Sequence, residues 1–60
     1  MKLKALRKQR GLSQTEVAQR IRMTQPYIAM LEGGAFKNPS LKVLRKLAKA
    51  LNVRISELVE

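Results

Sequence analysis

Apolar residues recur at intervals of three or four along this chain, which is the spacing of one face of an α-helix. Leu3 and Leu6 begin the pattern, and the run from Leu41 to Leu51 shows it most clearly. The pattern predicts five short helices, over about residues 2–9, 14–20, 25–32, 41–51 and 55–59. No segment sustains a two-residue alternation of apolar and polar residues, so we expect an all-α fold.

Residues that favour helix ends lie between these stretches. Ser13 and Glu16 form a capping box, in which each side chain accepts a hydrogen bond from the other residue's backbone N–H. Thr24 and Ser40 are expected to cap helices three and four. Pro26 is tolerated because N–H groups in the first turn lack helical partners anyway. The residues expected to end helices one, three and four are Gly11, Gly33 with Gly34, and Asn52.

The inward-facing apolar residues predict a single small core. Its expected members are Leu3, Leu6, Leu12, Val17, Ala18, Ile21, Met23, Ile28, Leu31, Leu41, Leu44, Leu47, Leu51, Val53, Ile55 and Leu58. A chain of 60 residues buries only about 60% of its unfolded surface. We therefore expect one domain, residues 1–60, of marginal stability.

The chain carries 13 Lys+Arg against 4 Asp+Glu, a net charge of +9, and neither cysteine nor histidine. Such an excess favours a polyanionic partner, nucleic acid above all, over a merely solvated surface. Without thiolate or imidazole ligands we expect no metal site, and we expect no cofactor and no small-molecule ligand. Paired carboxylates and a glycine-rich phosphate loop are also missing, so we expect no enzymatic activity.

The N-terminus is basic, but no apolar segment of a signal peptide follows it. No run reaches the ~18 apolar residues of a membrane span. We therefore expect a cytoplasmic, nucleoid-associated protein without a membrane partner.

Five short motifs follow one another along the chain. They are Gly11-Leu-Ser-Gln-Thr-Glu-Val-Ala, Thr24-Gln-Pro-Tyr-Ile, Leu31-Glu-Gly-Gly, Asn38-Pro-Ser-Leu and Leu47-Ala-Lys-Ala-Leu-Asn-Val. Each alone is weak, but together, and at this spacing, they resemble the phage repressor/Cro (Xre-type) helix-turn-helix family over nearly the whole chain. The resemblance implies a compact five-helix, lambda-repressor-like domain in which helices two and three form the helix-turn-helix. It also implies sequence-specific binding of duplex DNA, usually as a two-fold homodimer on a palindromic operator.

The resemblance places helix three in the major groove, and helix geometry supports this. Ile28 and Leu31 face inward, so the opposite face is free to contact bases. The base-reading candidates on that face are Gln25, Pro26, Ala29 and Met30. Gln25 offers a donor and an acceptor to adenine, a pairing worth about 1–3 kcal/mol of discrimination. The alternative for Gln25 is a solvated residue of the first turn.

A second group of residues is expected to contact phosphates. Gln14 lies beside the exposed N–H groups at the start of helix two, and Tyr27 can place its hydroxyl on a phosphate. Their alternatives are an ordinary first-turn residue and a half-buried spacer. Lys37 and Asn38 resemble the family's second phosphate clamp. The phosphate-contacting candidates are Gln14, Thr24, Tyr27, Lys37, Asn38 and Arg7.

The family pattern pairs an arginine of helix one with a glutamate of helix three, here Arg7 and Glu32. A bidentate ion pair would fix the angle between these helices and align Arg7 toward a phosphate. Such pairs specify geometry more reliably than they add stability. The alternative is two unrelated surface charges.

The remaining basic residues are expected to make few defined contacts. On the solvent side of helix four we expect Lys42, Arg45, Lys46 and Lys49. Long-range attraction of an anionic partner is expected from Lys2, Lys4, Lys8 and Arg10.

The chain departs from the family where DNA binding is concerned. Arg22 stands where the turn between helices two and three usually has a left-handed glycine, a conformation that costs other residues roughly 1 kcal/mol. Ala29 and Met30 replace polar residues often found on the reading face. Gln25 is then the only strong hydrogen-bonding reader, so we expect modest specificity per half-site, with DNA shape contributing.

These features predict a transcriptional regulator, most simply a repressor. The alternative is a protein-interaction or antitoxin-like module of the same fold, which binds a partner through Pro26, Ala29 and Met30 and binds DNA weakly or non-specifically. A cationic membrane-surface peptide is disfavoured because glycines and prolines divide the chain into short helices. Many relatives carry a further domain for dimerisation. Unless the sequence is a fragment of a longer protein, any dimer is expected to use helix five, around Val59, or the junction of helices four and five.

Overall fold

A computed structural model describes residues 1–35 and 39–59. Within these residues the backbone forms five helices and no strand: α1 (Leu3–Gln9), α2 (Gln14–Arg20), α3 (Gln25–Glu32), α4 (Leu41–Leu51) and α5 (Ile55–Val59). The predicted all-α fold is confirmed, and the helix bounds agree with the sequence pattern to within one residue. None of the helices within residues 1–35 and 39–59 has the length and hydrophobicity of a membrane-spanning segment.

The helix starts form as the sequence predicts. Ser13 Oγ accepts from the Glu16 N–H at 3.0 Å, and Glu16 Oε1 accepts from the Ser13 N–H at 2.9 Å, which completes the capping box. Thr24 accepts from the Tyr27 N–H at 3.3 Å, and Ser40 likewise caps α4. These bonds satisfy N–H groups that the first helical turn leaves unpaired.

Left-handed residues follow each of the first four helices, with Arg22, at a φ of 58°, after α2. Gly11, with a φ of 69°, follows α1, and Asn52, with a φ of 55°, ends α4 as predicted. After α3 the left-handed residue is Gly34, with a φ of 81°, while Gly33 stays right-handed at −79°. A Cβ at Gly34 would meet no atom within 4 Å, so the backbone conformation alone favours glycine there.

The core lies where the helices meet. Its largest fully buried side chains are Leu3, Val17, Ile28, Leu47, Leu51 and Leu58. The partly buried apolar residues packed against the core are Leu6, Leu12, Tyr27, Leu44, Ala50 and Val53. Most of the predicted core is thereby confirmed.

Two predicted core residues, Met23 and Leu41, are wrong, and a third, Ile55, is only half-buried and lies outside the core cluster. Met23 is 37% exposed and Leu41 is 54% exposed, whereas Val43, absent from the predicted core, is only 8% exposed. Leu41 is the first residue of α4, and it lies about 100° around the helix from the middle of the buried stripe. Extending the stripe backwards in steps of three residues therefore misplaced it in the core. Met23 lies in the turn after the left-handed Arg22, where the helical period no longer applies.

Two arginines bind the C-terminal end of α4. Arg10 Nε donates to Leu51 O at 2.9 Å, and its Nη2 donates to Asn52 O at 3.3 Å. Arg20 Nη1 donates to Ala50 O at 3.0 Å. Helix C-termini leave carbonyl groups unpaired and carry partial negative charge, which favours such cations. Arg10, expected to attract an anionic partner at long range, thus also joins the end of α1 to the end of α4.

The first and last helices also meet. The Lys2 N–H donates to Leu58 O at 2.7 Å, which joins the start of α1 to α5. Leu3 and Leu58, beside this bond, are both 0% exposed. The short α5 thus closes the core against α1.

Candidate nucleic-acid interface

The turn between α2 and α3 contains a left-handed arginine. Arg22 has a φ of 58°, the conformation for which the resemblance predicts glycine. The next residue, Met23, donates its N–H to Ala18 O at 2.8 Å, which keeps the turn tight. Among the described helices, α2 and α3 pack together most extensively.

The outer face of α3 carries the base-reading candidates. Gln25 and Pro26 are exposed, Met30 is 44% exposed, and Ala29 is half-buried. The inward residues of the same helix are buried in the core. The four candidates therefore share one accessible face, on which Gln25 is the side chain best able to form hydrogen bonds.

The glutamines that begin α2 and α3 are hydrogen-bonded to each other. Gln25 Nε2 donates to Gln14 Oε1 at 2.6 Å, and Gln14 Nε2 donates to Glu32 Oε1 at 3.1 Å. Gln14 is half-buried, so part of its side chain remains accessible. Within the described residues, Gln25 keeps its Oε1 and its second Nε2 proton for other partners.

Sequence reasoning assigned both glutamines to DNA but missed the bond between them. One signal was available, because the caps Ser13 and Thr24 make Gln14 and Gln25 the first residues of consecutive helices. The sequence did not indicate the direction in which the chain leaves the turn, because Arg22 stands where the family has the glycine that would have indicated it.

Glu32 links the glutamines to a nearly buried arginine. Arg7 Nε donates to Glu32 Oε2 at 2.6 Å and its Nη2 donates to Glu32 Oε1 at 3.0 Å, which is the predicted bidentate ion pair. The third nitrogen, Nη1, donates to Leu12 O at 2.8 Å. Side-chain exposures of 10% for Arg7 and 4% for Glu32 show that the alternative of two surface charges is wrong.

The ion pair keeps both partners charged. Burial by itself raises the pKa of the Glu32 carboxyl, but hydrogen bonds from Arg7 and Gln14 and the charge of Arg7 outweigh it, and the net pKa lies below its ordinary value. The hydrogen bond to Glu32 raises the pKa of the Arg7 guanidinium. A series of hydrogen bonds therefore runs from a buried cation to an exposed amide, through Arg7, Glu32, Gln14 and Gln25.

The other phosphate-contacting candidates fall in different settings. Thr24 is exposed, but its Oγ1 already caps α3, and Tyr27 is half-buried. Arg7 is only 8% exposed, and each of its guanidinium nitrogens already donates to a protein oxygen. Lys37 and Asn38 lie outside the described residues. Among residues 1–35 and 39–59, no three acidic side chains cluster closely enough to hold a metal ion.

A family model described as helix-turn-helix matches residues 3–58. The chain belongs to the helix-turn-helix family. The match covers α1 to α4 and all but the last residue of α5, and it confirms the resemblance to phage repressor/Cro (Xre-type) domains. In this family's terms, α2 and α3 are the helix-turn-helix and α1, α4 and α5 support it.

Several named proteins are similar to this helix-turn-helix chain. The immunity repressor protein of Bacillus phage phi105 is 36% identical over 58 residues, which are 97% of the chain and 40% of the repressor. An uncharacterized HTH-type transcriptional regulator of Sinorhizobium fredii is 44% identical over 54 residues, 90% of the chain and 69% of that regulator. The HTH-type transcriptional regulator DdrOP3 of Deinococcus deserti is 36% identical over 59 residues, 98% of the chain and 45% of that regulator. The chain thus spans less than half the length of the phage and Deinococcus relatives.

Proposed function

We propose that this chain binds double-stranded DNA sequence-specifically and regulates transcription, most simply as a repressor, by placing α3 in the major groove. The observation that carries the proposal is the hydrogen-bonded series from Arg7 through Glu32 and Gln14, which ends on the exposed Gln25. The net charge of +9 suits a polyanionic ligand. The names of the relatives, an immunity repressor and transcriptional regulators, point the same way.

Gln25 is oriented for base reading before DNA binds. Its bond to Gln14 leaves one Nε2 proton and the Oε1 acceptor, which match the acceptor and donor that adenine presents in the major groove. Because Gln14 is itself bonded to Glu32, Gln25 has less side-chain freedom to lose on binding, a loss that otherwise costs about 0.5–1.5 kcal/mol. Apolar contacts to thymine methyl groups are assigned to Pro26, Ala29 and Met30.

The phosphate contacts fix the register of α3 on the duplex. We assign them to Gln14, through its second Nε2 proton, and to Thr24, Tyr27, Lys37 and Asn38. Arg7 is assigned a positioning role through its bonds to Glu32 and Leu12, and it keeps two further N–H groups for the phosphate contact that the family pattern implies. About four to six phosphate contacts predict a log–log salt slope near −4 to −5.

We further propose that two copies bind one palindromic operator. Val59, at the end of α5, is 50% exposed, and such an apolar side chain suits a contact between two copies. The two half-sites would then lie about one helical turn, ~34 Å, apart. With a chromosomal duplex as its ligand, the protein would act in the cytoplasm at the nucleoid.

Selection of bound sequences from random duplex DNA at physiological salt tests the proposal. We expect an enriched palindrome whose half-sites contain adenine opposite Gln25. Binding without any enriched sequence would reduce the function to non-specific DNA binding. An affinity that hardly changes with salt would contradict DNA binding altogether, because each phosphate contact releases counterions.

The exposed Met30 supports a second candidate function, a protein-interaction module that uses the same face of α3. The variant that combines Gln25→Ala with Lys37→Ala separates the two. This variant should lose DNA binding whichever of the two functions the chain performs. A partner protein that still binds this variant and is lost with Met30→Ser would favour the interaction module.

A further inference from the structure

A second strongly charged feature lies at the other end of α2. A groove of about 470 Å³ opens between the end of α2, the turn that follows it and the C-terminal half of α4. We refer to it as the basic groove, which is lined by Arg20, Ile21, Arg22, Lys46, Lys49 and Ala50. Its volume falls within the roughly 300–1,000 Å³ typical of ligand sites. The four cations are all exposed, as the sequence predicts for the two lysines of α4.

No cation of the basic groove forms an ion pair with a carboxylate of residues 1–35 and 39–59. In the described part of the chain the one ion pair is Arg7–Glu32, outside the groove. Glu16 lies one turn before Arg20 and interacts with it electrostatically, but its Oε1 accepts from the Ser13 N–H. The helix ends of α2 and α4 contribute only about half a negative charge each. Four full positive charges therefore leave the groove strongly positive.

Two of the cations have distinct structural settings. Arg20 uses one N–H on Ala50 O, which fixes its guanidinium and leaves other N–H groups to donate. Arg22 holds a left-handed φ of 58° that glycine would adopt without the roughly 1 kcal/mol cost. Strained residues of this kind cluster at functional positions. Here the strain places a guanidinium at the groove.

The groove is separate from the proposed reading face. Gln14 and Arg20 lie at opposite ends of α2, about 9 Å apart along its axis and about 120° apart around it. Gln14 is bonded to Gln25 at the start of α3, whereas Arg20 is bonded to Ala50 near the end of α4. The groove and the reading face therefore involve different side chains at opposite ends of α2.

We propose that the basic groove binds phosphate groups as a second anion site of this protein. Arginine forks bind phosphate in a bidentate manner and lysines add point charge, and the groove supplies two of each. The same chemistry is offered by the backbone of a DNA segment and by a free polyphosphate such as a nucleotide. The site differs in this respect from the reading face, which carries no comparable set of unpaired cations.

Backbone amide NMR on the full chain tests the proposal with two probes, a short half-site duplex and inorganic triphosphate. The amides of Arg22, Lys46 and Lys49 report the basic groove, and those of Ala29 and Met30 report the reading face. The groove variant combines Arg22→Gly with Lys46→Gln and spares Arg20, which binds α4. The matched control combines Arg45→Gln with Lys8→Gln, which removes the same charges from exposed positions outside the groove.

We expect triphosphate to shift the amide resonances of the groove residues. The groove variant should bind triphosphate about tenfold more weakly, whereas the control variant should bind it about as well as the original chain. If duplex added beyond the first equivalent shifts the amide resonances of the groove, the phosphates that bind there are those of a DNA backbone. If only triphosphate shifts them, the ligand is a free polyphosphate. The proposal would be overturned if neither probe shifts the amide resonances of the groove. It would also be overturned if the control variant weakens triphosphate binding as much as the groove variant does. Tighter binding of a polyglutamate peptide than of triphosphate would also overturn it in favour of an acidic protein partner.

Discussion

Arg7 and Arg22 carry the same side chain in opposite electrostatic surroundings. Arg7 is 8% exposed, and its guanidinium is neutralised by Glu32 at 2.6 Å. Arg22 is exposed, has no carboxylate partner among the described residues and stands with three other cations around the basic groove. The two arginines thus differ in that one charge is buried with its counterion and the other is exposed without one.

The two arginines accordingly have different roles. A buried, bidentate pair adds little net stability, but it fixes the geometry of what it touches. Glu32 touches Gln14, and Gln14 touches Gln25, so the pair sets the orientation of the proposed base reader. An exposed cation without a counterion, such as Arg22, attracts anions over about a Debye length, ~8–10 Å at physiological salt.

The largest expected effect is on stability. Arg7→Met should lower the free energy of unfolding by about 3–5 kcal/mol, because it leaves Glu32 buried without its counterion. The exposed Arg45→Met is the matched control and should stay within about 0.5 kcal/mol of the original chain. Urea unfolding followed by circular dichroism measures both. Equal midpoints for the two variants would contradict the role given to the buried pair.

The next effect is on sequence discrimination. Gln25→Ala should weaken binding to the selected operator by about 1–3 kcal/mol, roughly 5- to 150-fold, while binding to a scrambled duplex hardly changes. Gln19→Ala, which removes an exposed glutamine of α2, is the control. Fluorescence anisotropy titrations at one fixed salt concentration measure both duplexes. A uniform loss on the two duplexes would instead assign Gln25 to phosphate contact.

A smaller effect appears in the dependence of stability on pH. Since folding lowers the pKa of Glu32, its contribution is fully present above the ordinary glutamate value of about 4.3 and is lost as the pH falls through the lower pKa of the folded state. Hydrogen bonds from the Ser13 backbone and side chain lower the pKa of Glu16, which acts with the same sign. Glu32→Gln should therefore flatten, but not abolish, the loss of unfolding free energy on acidification. An unchanged slope would show that the ion pair does not drive acid unfolding.

The smallest effect belongs to the unpaired arginine. Arg22→Gly relieves a left-handed conformation, a gain of roughly 1 kcal/mol that the backbone entropy of glycine reduces by about 0.5–1 kcal/mol. Asn52→Gly, at a φ of 55°, is the comparison, and it should gain less because asparagine adopts this conformation more readily. Thermal unfolding distinguishes the two variants. A clear loss of stability in Arg22→Gly would show that its side chain makes stabilising contacts.

The sequence predicts the helices well because local chemistry decides where they begin. Ser13, Thr24 and Ser40 each cap the helix that follows, so the element bounds needed no tertiary information. Leu41 and Met23 were misassigned because they lie at the margin of a helical stripe and inside a turn, where periodicity is uninformative.

The candidate site was predictable as a set of residues but not as a connected network. Arg7 and Glu32 are 25 positions apart and were paired through the family pattern, and the structure confirms that pair. The bond between Gln14 and Gln25 and the contacts of Arg10 and Arg20 with α4 depend on how whole helices lie against one another. No local pattern in the sequence specifies that arrangement.

The bond between the Lys2 N–H and Leu58 O has a consequence for how the domain opens. Local unfolding occurs in cooperative units, and α5 has only five residues to keep Leu58 in place beside Leu3. If α5 leaves the core, the Lys2 amide loses its acceptor and exchanges its hydrogen with solvent at the same moment. Deuterium uptake at this single backbone position therefore reports the undocking of the opposite end of the chain.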